Sequence, residues 1–505
     1  MTKEPVIIRK LPTGIPGLDD VLGGGLPEFS FNLLAGGPGC GKTTFAHQIM
    51  FANARQERPA LYFTVLGEPP IKMLRYQQQF QFFDTEKVNG CIRFIHLGKE
   101  LIEGGLQKVL DRIAAEVESV TPGFVFVDSF RSVVRDYSTT PSGDLDLHSF
   151  VQLLALHLTS YEATTFLIGE YLEHETNSNP IFTVADGIVW LYQSTLRNSV
   201  VRRLQVIKMR GQQQIPGFHT IRLSTEGVRI FPRLPNPEEQ RAPDVSTKTI
   251  KRTGIDGLDE MLGGGIPAGY SLLLAGPSGS GKTMLSTQFI VEGIKEGEPG
   301  VIVVFEKRPE DYLRTSPRGR EIEELTRAGK LKLIYIRPLD LSVDETLERV
   351  RADVNQLAAK RVVFDSLSGF ELALAPVFQE DFRESLYRMV GALTAMGVTV
   401  MMTVEISDTF TELPLSPHGV SFLTDGIILQ RYTELNGELQ KVILVVKLRA
   451  RKHSKELRAY EITEEGLVVG AALTRYRGML TGNAEPTGPP VSIKETRKVR
   501  HDDHT

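Results

Sequence analysis

Two stretches of this chain hold residue types that bind polyphosphate. Gly36-Gly37-Pro38-Gly39-Cys40-Gly41-Lys42-Thr43 and Gly276-Pro277-Ser278-Gly279-Ser280-Gly281-Lys282-Thr283 both fit the pattern G-x-x-x-x-G-K-[ST]. Glycines let successive backbone N–H groups turn inward around phosphate oxygens with no Cβ in the way, and a helix beginning at the lysine adds its positive end. The lysine neutralises the β- and γ-phosphates, and the hydroxyl of Thr43 or Thr283 ligates Mg²⁺. ATP and Mg²⁺ are therefore the expected ligands, with Thr44 and Met284 closing each set. A glycine-rich turn that only links a strand to a helix is the alternative for one motif alone. Two copies, their lysines 240 positions apart, argue against it.

Further groups recur in step with the loops. The runs Phe124-Val125-Phe126-Val127-Asp128 and Arg361-Val362-Val363-Phe364-Asp365 are strand-like and end on an aspartate, which places Asp128 and Asp365 as Mg²⁺ holders. Lys208 with Arg210, and Lys447 with Arg449, stand two apart in strand-like segments, so each pair shares a face. A pair of solvated surface charges remains the alternative there. Cys40 sits inside the first loop, either as a small residue that fits the turn or as a thiol open to modification.

The elements that position these groups follow from apolar spacing. Strands are expected at 31–35 and 271–275, directly before the loops. Phe45, Ile49 and Ala52 give the helix after the first loop, and 61–66 reads as a buried strand. Leu106, Val109, Leu110, Ile113 and Val117 signal a long helix, and 164–169 the next strand. After Asp186 come strands without long helices, at 187–191, 201–209 and 218–223. The second half repeats the order with strands at 301–305, 361–365 and 398–404. Alternating strands and helices predict an α/β fold of two tandem domains, each a mostly parallel central sheet flanked by helices. The boundaries read as 1–235, a proline-bearing linker 236–248, 249–475, and a flexible tail 476–505.

Composition excludes several classes. With 58 Lys+Arg against 62 Asp+Glu the net charge is −4, so no bulk basic field draws the chain to nucleic acid. Two cysteines, Cys40 and Cys91, make neither a disulfide framework nor a zinc site, which favours a reducing setting. No apolar run reaches the ~18–20 residues of a membrane span, and the first ten residues lack a signal-peptide core. A soluble, cytoplasmic protein is expected.

Together these motifs make the chain resemble the KaiC family, the double RecA-like ATPases of the circadian clock and their bacterial and archaeal relatives. The resemblance covers residues 8–483. It includes the lead-ins Thr13-Gly14-Ile15-Pro16-Gly17-Leu18-Asp19 and Thr253-Gly254-Ile255-Asp256-Gly257-Leu258-Asp259, both loops, both strand-terminal aspartates and both K-x-R pairs. It implies two RecA-like domains and a homohexameric, two-tiered ring with ATP between protomers. It also implies that Lys208, Arg210, Lys447 and Arg449 reach a neighbour's γ-phosphate, as an arginine finger does.

The chain departs from the family at the general base. The family commonly has two adjacent glutamates after the strand that follows the loop helix; here the first half has Gly67-Glu68 and the second has Glu306-Lys307. Glu68 and Glu306 are the candidate bases. Either one as a surface acid near a helix start is the alternative. Clock KaiC also phosphorylates neighbouring serine and threonine residues in its second domain. At the matching place Ser421 stands beside Phe422, so single-site autophosphorylation on Ser421 is expected, with an ordinary loop serine as the rival. The reading is an ATPase with serine/threonine autokinase capacity, acting as a regulator read by partner proteins. A RecA-like DNA-dependent motor and a scaffold that binds ATP mainly to assemble are the alternatives.

Overall fold

The computed structural model describes residues 8–65, 70–130, 147–177, 179–196, 199–233, 249–316, 318–336, 342–379, 382–406, 423–435, 437–474, 476–479 and 485–486. The chain divides into two compact units, Met1–Leu234 and Pro235–Thr505. The segment 236–248, read as a linker, lies outside the described residues, as do Glu68 and Ser421.

Each unit is built on a nine-stranded sheet. In the first, six strands run parallel in the order Ile92–His96, Ala60–Thr64, Phe124–Asp128, Thr164–Gly169, Phe31–Gly36 and Gly187–Leu196. Ser199–Met209, His219–Ser224 and Gly227–Phe231 then extend it antiparallel. The second sheet repeats this order, with Ser271–Gly276 and Arg361–Asp365 in the places of Phe31–Gly36 and Phe124–Asp128. This is the α/β class of two tandem RecA-like domains.

The loop strand Phe31–Gly36 shows why the sequence folds this way, since all six of its residues are buried. Alternation sends Leu34 to one face, where it packs with Phe45, Ile49 and Phe126, and Leu33 to the other, with Leu61, Ile113 and Val125. A strand covered on both faces must be apolar throughout. Each leucine buried there contributes about 2 kcal/mol.

Differences from the sequence reading lie at edges. The strand expected at 61–66 is Ala60–Thr64, and that expected at 301–305 is Gly300–Val304. The edge strands Ile92–His96, Leu331–Tyr335 and Gly227–Phe231 are not marked by continuous apolar runs. Ile92–His96 and Leu331–Tyr335 keep exposed positions in their burial patterns. Within the segment read as tail, Tyr476–Arg477 pairs with Glu485–Pro486. Both lead-ins are structural staples: Asp19 accepts from the Thr13 N–H (2.9 Å) and hydroxyl (2.7 Å), and Asp259 from the same groups of Thr253 at 2.8 Å each. Among the described residues no helix is long and apolar enough to cross a membrane.

Candidate active sites

Each loop ends as its helix begins, at Lys42–Asn53 in the first unit and Lys282–Lys295 in the second. The residue before each lysine, Gly41 or Gly281, has φ near +100° (101° and 95°), a conformation that side chains with a Cβ rarely adopt. The turn thereby folds each lysine back over its own loop. Lys42 Nζ donates to the carbonyls of Gly36 (3.0 Å) and Gly37 (2.7 Å), and Lys282 Nζ to those of Gly276 and Pro277, both at 2.7 Å.

At the second residue of each helix, the threonine meets the strand-terminal aspartate. Thr43 Oγ1 donates to Asp128 Oδ2 and Thr283 Oγ1 to Asp365 Oδ2, each at 2.9 Å. The surroundings of the two carboxylates differ. Tyr62, from the strand Ala60–Thr64, donates to Asp128 at 2.7 Å. Asp365 receives Tyr312 from the helix Pro309–Thr315 at 3.5 Å and Thr403 at 2.7 Å. Burial pushes the Asp128 carboxyl above its ordinary value, against the hydrogen bonds from Tyr62 and Thr43. A hydroxyl and a buried carboxylate side by side are the hard oxygen donors that suit Mg²⁺, and an acid held up by desolvation is relieved by a cation. Among the described residues no group of three or more His, Cys, Asp or Glu could hold a metal alone.

The second site opens into a cavity of about 340 Å³, within the range of small-molecule pockets. Lys282, Thr283, Glu306, Asp365 and Glu405 line it. Desolvation lowers the Lys282 ammonium, opposed by the charges of Glu405, Asp365 and Glu306. Glu306 is held in place: Ser366 Oγ donates to Glu306 Oε1 at 2.9 Å. The same Oγ accepts from the Gly369 N–H at 3.1 Å, so its own hydrogen is directed to the glutamate. Gly369 leaves the room, since a Cβ there would stand 2.5 Å from Glu306 Oε1.

Sequence reasoning missed Ser366, Gly369, the two tyrosines, and the acid pair Glu170 and Glu405. Glu405 ends the strand Thr399–Glu405, and Glu170 follows Thr164–Gly169 with its Oε1 4.0 Å from Lys42 Nζ. The signal was present: a glutamate ends one strand and directly follows the other, as their neighbours end on an aspartate. Counting from strand ends, Glu306 is the second residue past Val304, whereas Glu68 is the fourth past Thr64. From strand end to helix start the first unit's segment is one residue longer.

The K-x-R pairs lie at the other end of each sheet from their own loops. Arg210 N–H donates to the Asp186 carbonyl (3.0 Å), and Asp186 N–H to that of Phe31 (2.7 Å), so Arg210 is level with the start of the strand whose end carries the loop. Arg449, Asp425 and Ser271 repeat this, with both bonds at 2.8 Å. Five residues of strand span roughly 17 Å. Lys208 and Lys447 donate to the carbonyls of Thr183 (3.2 Å) and Thr424 (2.6 Å). Arg210 and Arg449 pair with Asp186 (3.0 Å) and Asp425 (3.4 Å). Both arginine side chains stay more than half exposed, at 59% and 53%.

The model of the KaiC ATPase family matches residues 11–235 and again 251–474. The chain belongs to the KaiC ATPase family. It is 26% identical over 484 residues to the circadian clock oscillator protein KaiC of Prochlorococcus marinus, covering 94% of this chain and 95% of that protein. The KaiC proteins of Thermostichus vulcanus and Synechococcus elongatus are also 26% identical, over 506 and 500 residues. Each match covers 97% of this chain and 94% of the relative. As a KaiC-family ATPase of two domains, the chain binds ATP.

Within this KaiC-family frame, Cys40 is a packing residue. It is 2% exposed, and burial pushes its thiol above the ordinary value, against the pull of the Lys42 charge. A raised, buried thiol is a poor nucleophile, so the thiol-switch alternative loses its basis.

Proposed function

We propose that this chain is a ring-forming, Mg²⁺-dependent ATPase in the cytoplasm whose second domain also phosphorylates its own Ser421, acting as a regulator read by partner proteins. The domain limits used for it are 1–235 and 249–475. The observation that supports it most is the second cavity, which gathers the loop lysine Lys282, the Thr283–Asp365 pair and a hydrogen-bonded Glu306. Gly36 to Thr44 and Gly276 to Met284 cradle the nucleotide. Thr43 with Asp128, and Thr283 with Asp365, hold the metal ion, which supplies charge neutralisation on the phosphates when bound.

Glu306 is the base of the second site. It takes a proton from the attacking water in hydrolysis, or from the Ser421 hydroxyl, whose oxygen then bonds to the γ-phosphorus as ADP leaves. Glu68 has the corresponding role in the first site. Lys208, Arg210, Lys447 and Arg449 stand about 17 Å of strand away from their own loops, so stabilising a γ-phosphate with them requires another copy of the chain. That supports a homohexamer with nucleotide between protomers.

Two experiments test the reading. Incubation with labelled ATP followed by mass spectrometry of the peptide spanning Ser421 is expected to find phosphate there; its absence during ATP turnover removes the autokinase and leaves the ATPase. Turnover of Glu68→Gln and Glu306→Gln variants is expected to fall. Unchanged rates in both sink the assigned bases and favour a scaffold.

A further inference from the structure

The wall of the second cavity past Glu306 is not used by the chemistry above. It consists of Lys307, Thr315 and Ser316, which line the same cavity as Lys282 and Thr283. Lys307 Nζ donates to Thr315 Oγ1 at 3.2 Å, and Thr315 Oγ1 spends its own hydrogen on the Asp311 carbonyl at 2.8 Å. Thr315 is therefore an acceptor for the lysine, and it steers an exposed ammonium that carries two further N–H donors. Ser316 is 8% exposed, and its Oγ has no hydrogen-bond partner among the described residues. A buried hydroxyl left unpaired costs about 1–3 kcal/mol, so a ligand atom at this wall would relieve it.

The wall lies on the metal side of the cavity. Lys307 follows Glu306 just past the strand Gly300–Val304, whose last residue is paired with Asp365. Near Gly281 the cavity is lined by Ile462, whose Cδ1 would stand 2.7 Å from a Cβ on that glycine. Three carboxylates, Glu306, Asp365 and Glu405, also line this space. An anion bound among them needs positive charge besides Lys282 and one divalent ion, and within the chain's own cavity an ammonium beside the base is placed to give it, alongside the Lys447 and Arg449 of a neighbouring copy.

We propose that Lys307, steered by Thr315 and flanked by Ser316, binds the terminal phosphate of a nucleoside triphosphate in the second site, and makes that site prefer triphosphate to diphosphate. The inference rests on the reading that the second cavity takes ATP. Its ligand chemistry is a phosphoryl group that ADP lacks.

The test is equilibrium binding, by calorimetry with Mg²⁺, of ADP and of the hydrolysis-resistant β,γ-imido analogue of ATP to the full chain. Lys42→Ala is present throughout to silence the first loop. Lys307→Met is expected to weaken the triphosphate analogue about tenfold and ADP by less than about threefold, and Lys307→Arg to keep most of the preference. Retained ADP binding shows that the Lys307→Met site is folded. An unchanged ratio of the two affinities overturns the inference while leaving ATP binding intact. Binding of no more than one nucleotide per chain by the protein with both loops intact overturns the ATP reading of the second cavity itself.

Discussion

The two phosphate loops have nearly the same backbone and opposite supports. Behind the first, Cys40 packs against Phe45, Leu191 and Ile221, an apolar prop. Behind the second, Ser280 Oγ donates to Gln430 at 3.2 Å, Tyr460 donates to the Ser280 carbonyl, and Tyr432 donates to that of Ser278 at 3.2 Å. Leu191 and Gln430 are equivalent, each beside the glycine that opens its loop. The same contrast runs deeper into the helix, where the first unit buries His47 and the second has Thr287, which bonds the Thr283 carbonyl at 2.7 Å. A backbone shape demanded by phosphate tolerates either solution, provided the changes come as a set. A lone serine behind the first loop would lack a partner, and a lone leucine in place of Gln430 would strand a hydroxyl.

Acid should separate the units most. Burial lowers His47 to about 3 and His219 to about 4, so both are neutral when folded and bind protons on unfolding. Their contribution is full above the unfolded value near 6.5 and is lost as pH falls toward the folded values. From pH 7 to 5 the first unit should lose about 2 kcal/mol for each histidine. Calorimetric scans at both pH values should show the first unit's transition falling further; equal shifts break the contrast.

Next in size is the base. Glu306→Gln should lower second-site turnover about 100-fold, a larger fall than Glu68→Gln gives the first, because Glu68 lies two residues further past its strand. ATP turnover measured in Lys42→Ala and Lys282→Ala backgrounds separates the two sites. Ser366→Ala should cost the second site about tenfold in kcat with little change in KM, since Glu306 loses its orienting donor, and Ser366→Thr should keep most of the rate. The smallest effect is expected for Tyr460→Phe, about 1 kcal/mol off the second unit's stability with the first unchanged. Denaturant unfolding followed unit by unit would read it.

Much of the architecture was legible because it rests on local patterns. Phosphate loops, apolar strands ending on Asp128 and Asp365, and helices beginning at Lys42 and Lys282 each occupy one short stretch. The edge strands were not, since a strand with one buried face lacks the continuous apolar run of a central one. Ser366, Gly369 and Thr403 were invisible for another reason. Their roles depend on residues about 40 to 60 positions away, brought close only by strand order.

The sequence by itself determined that the chain is a tandem repeat, that each repeat carries a nucleotide loop, and that a strand ending on an aspartate accompanies each loop. It did so because glycine, lysine and strand-end aspartate have narrow physical uses at fixed spacing. Only the tertiary structure decided how those groups are held: the glutamate by a serine across the sheet, one loop by apolar packing and the other by hydroxyls, and the K-x-R pairs at the far end from their own site. These depend on which strands become neighbours, and pairing of distant strands is set by the global burial of apolar surface rather than by any local run of residues.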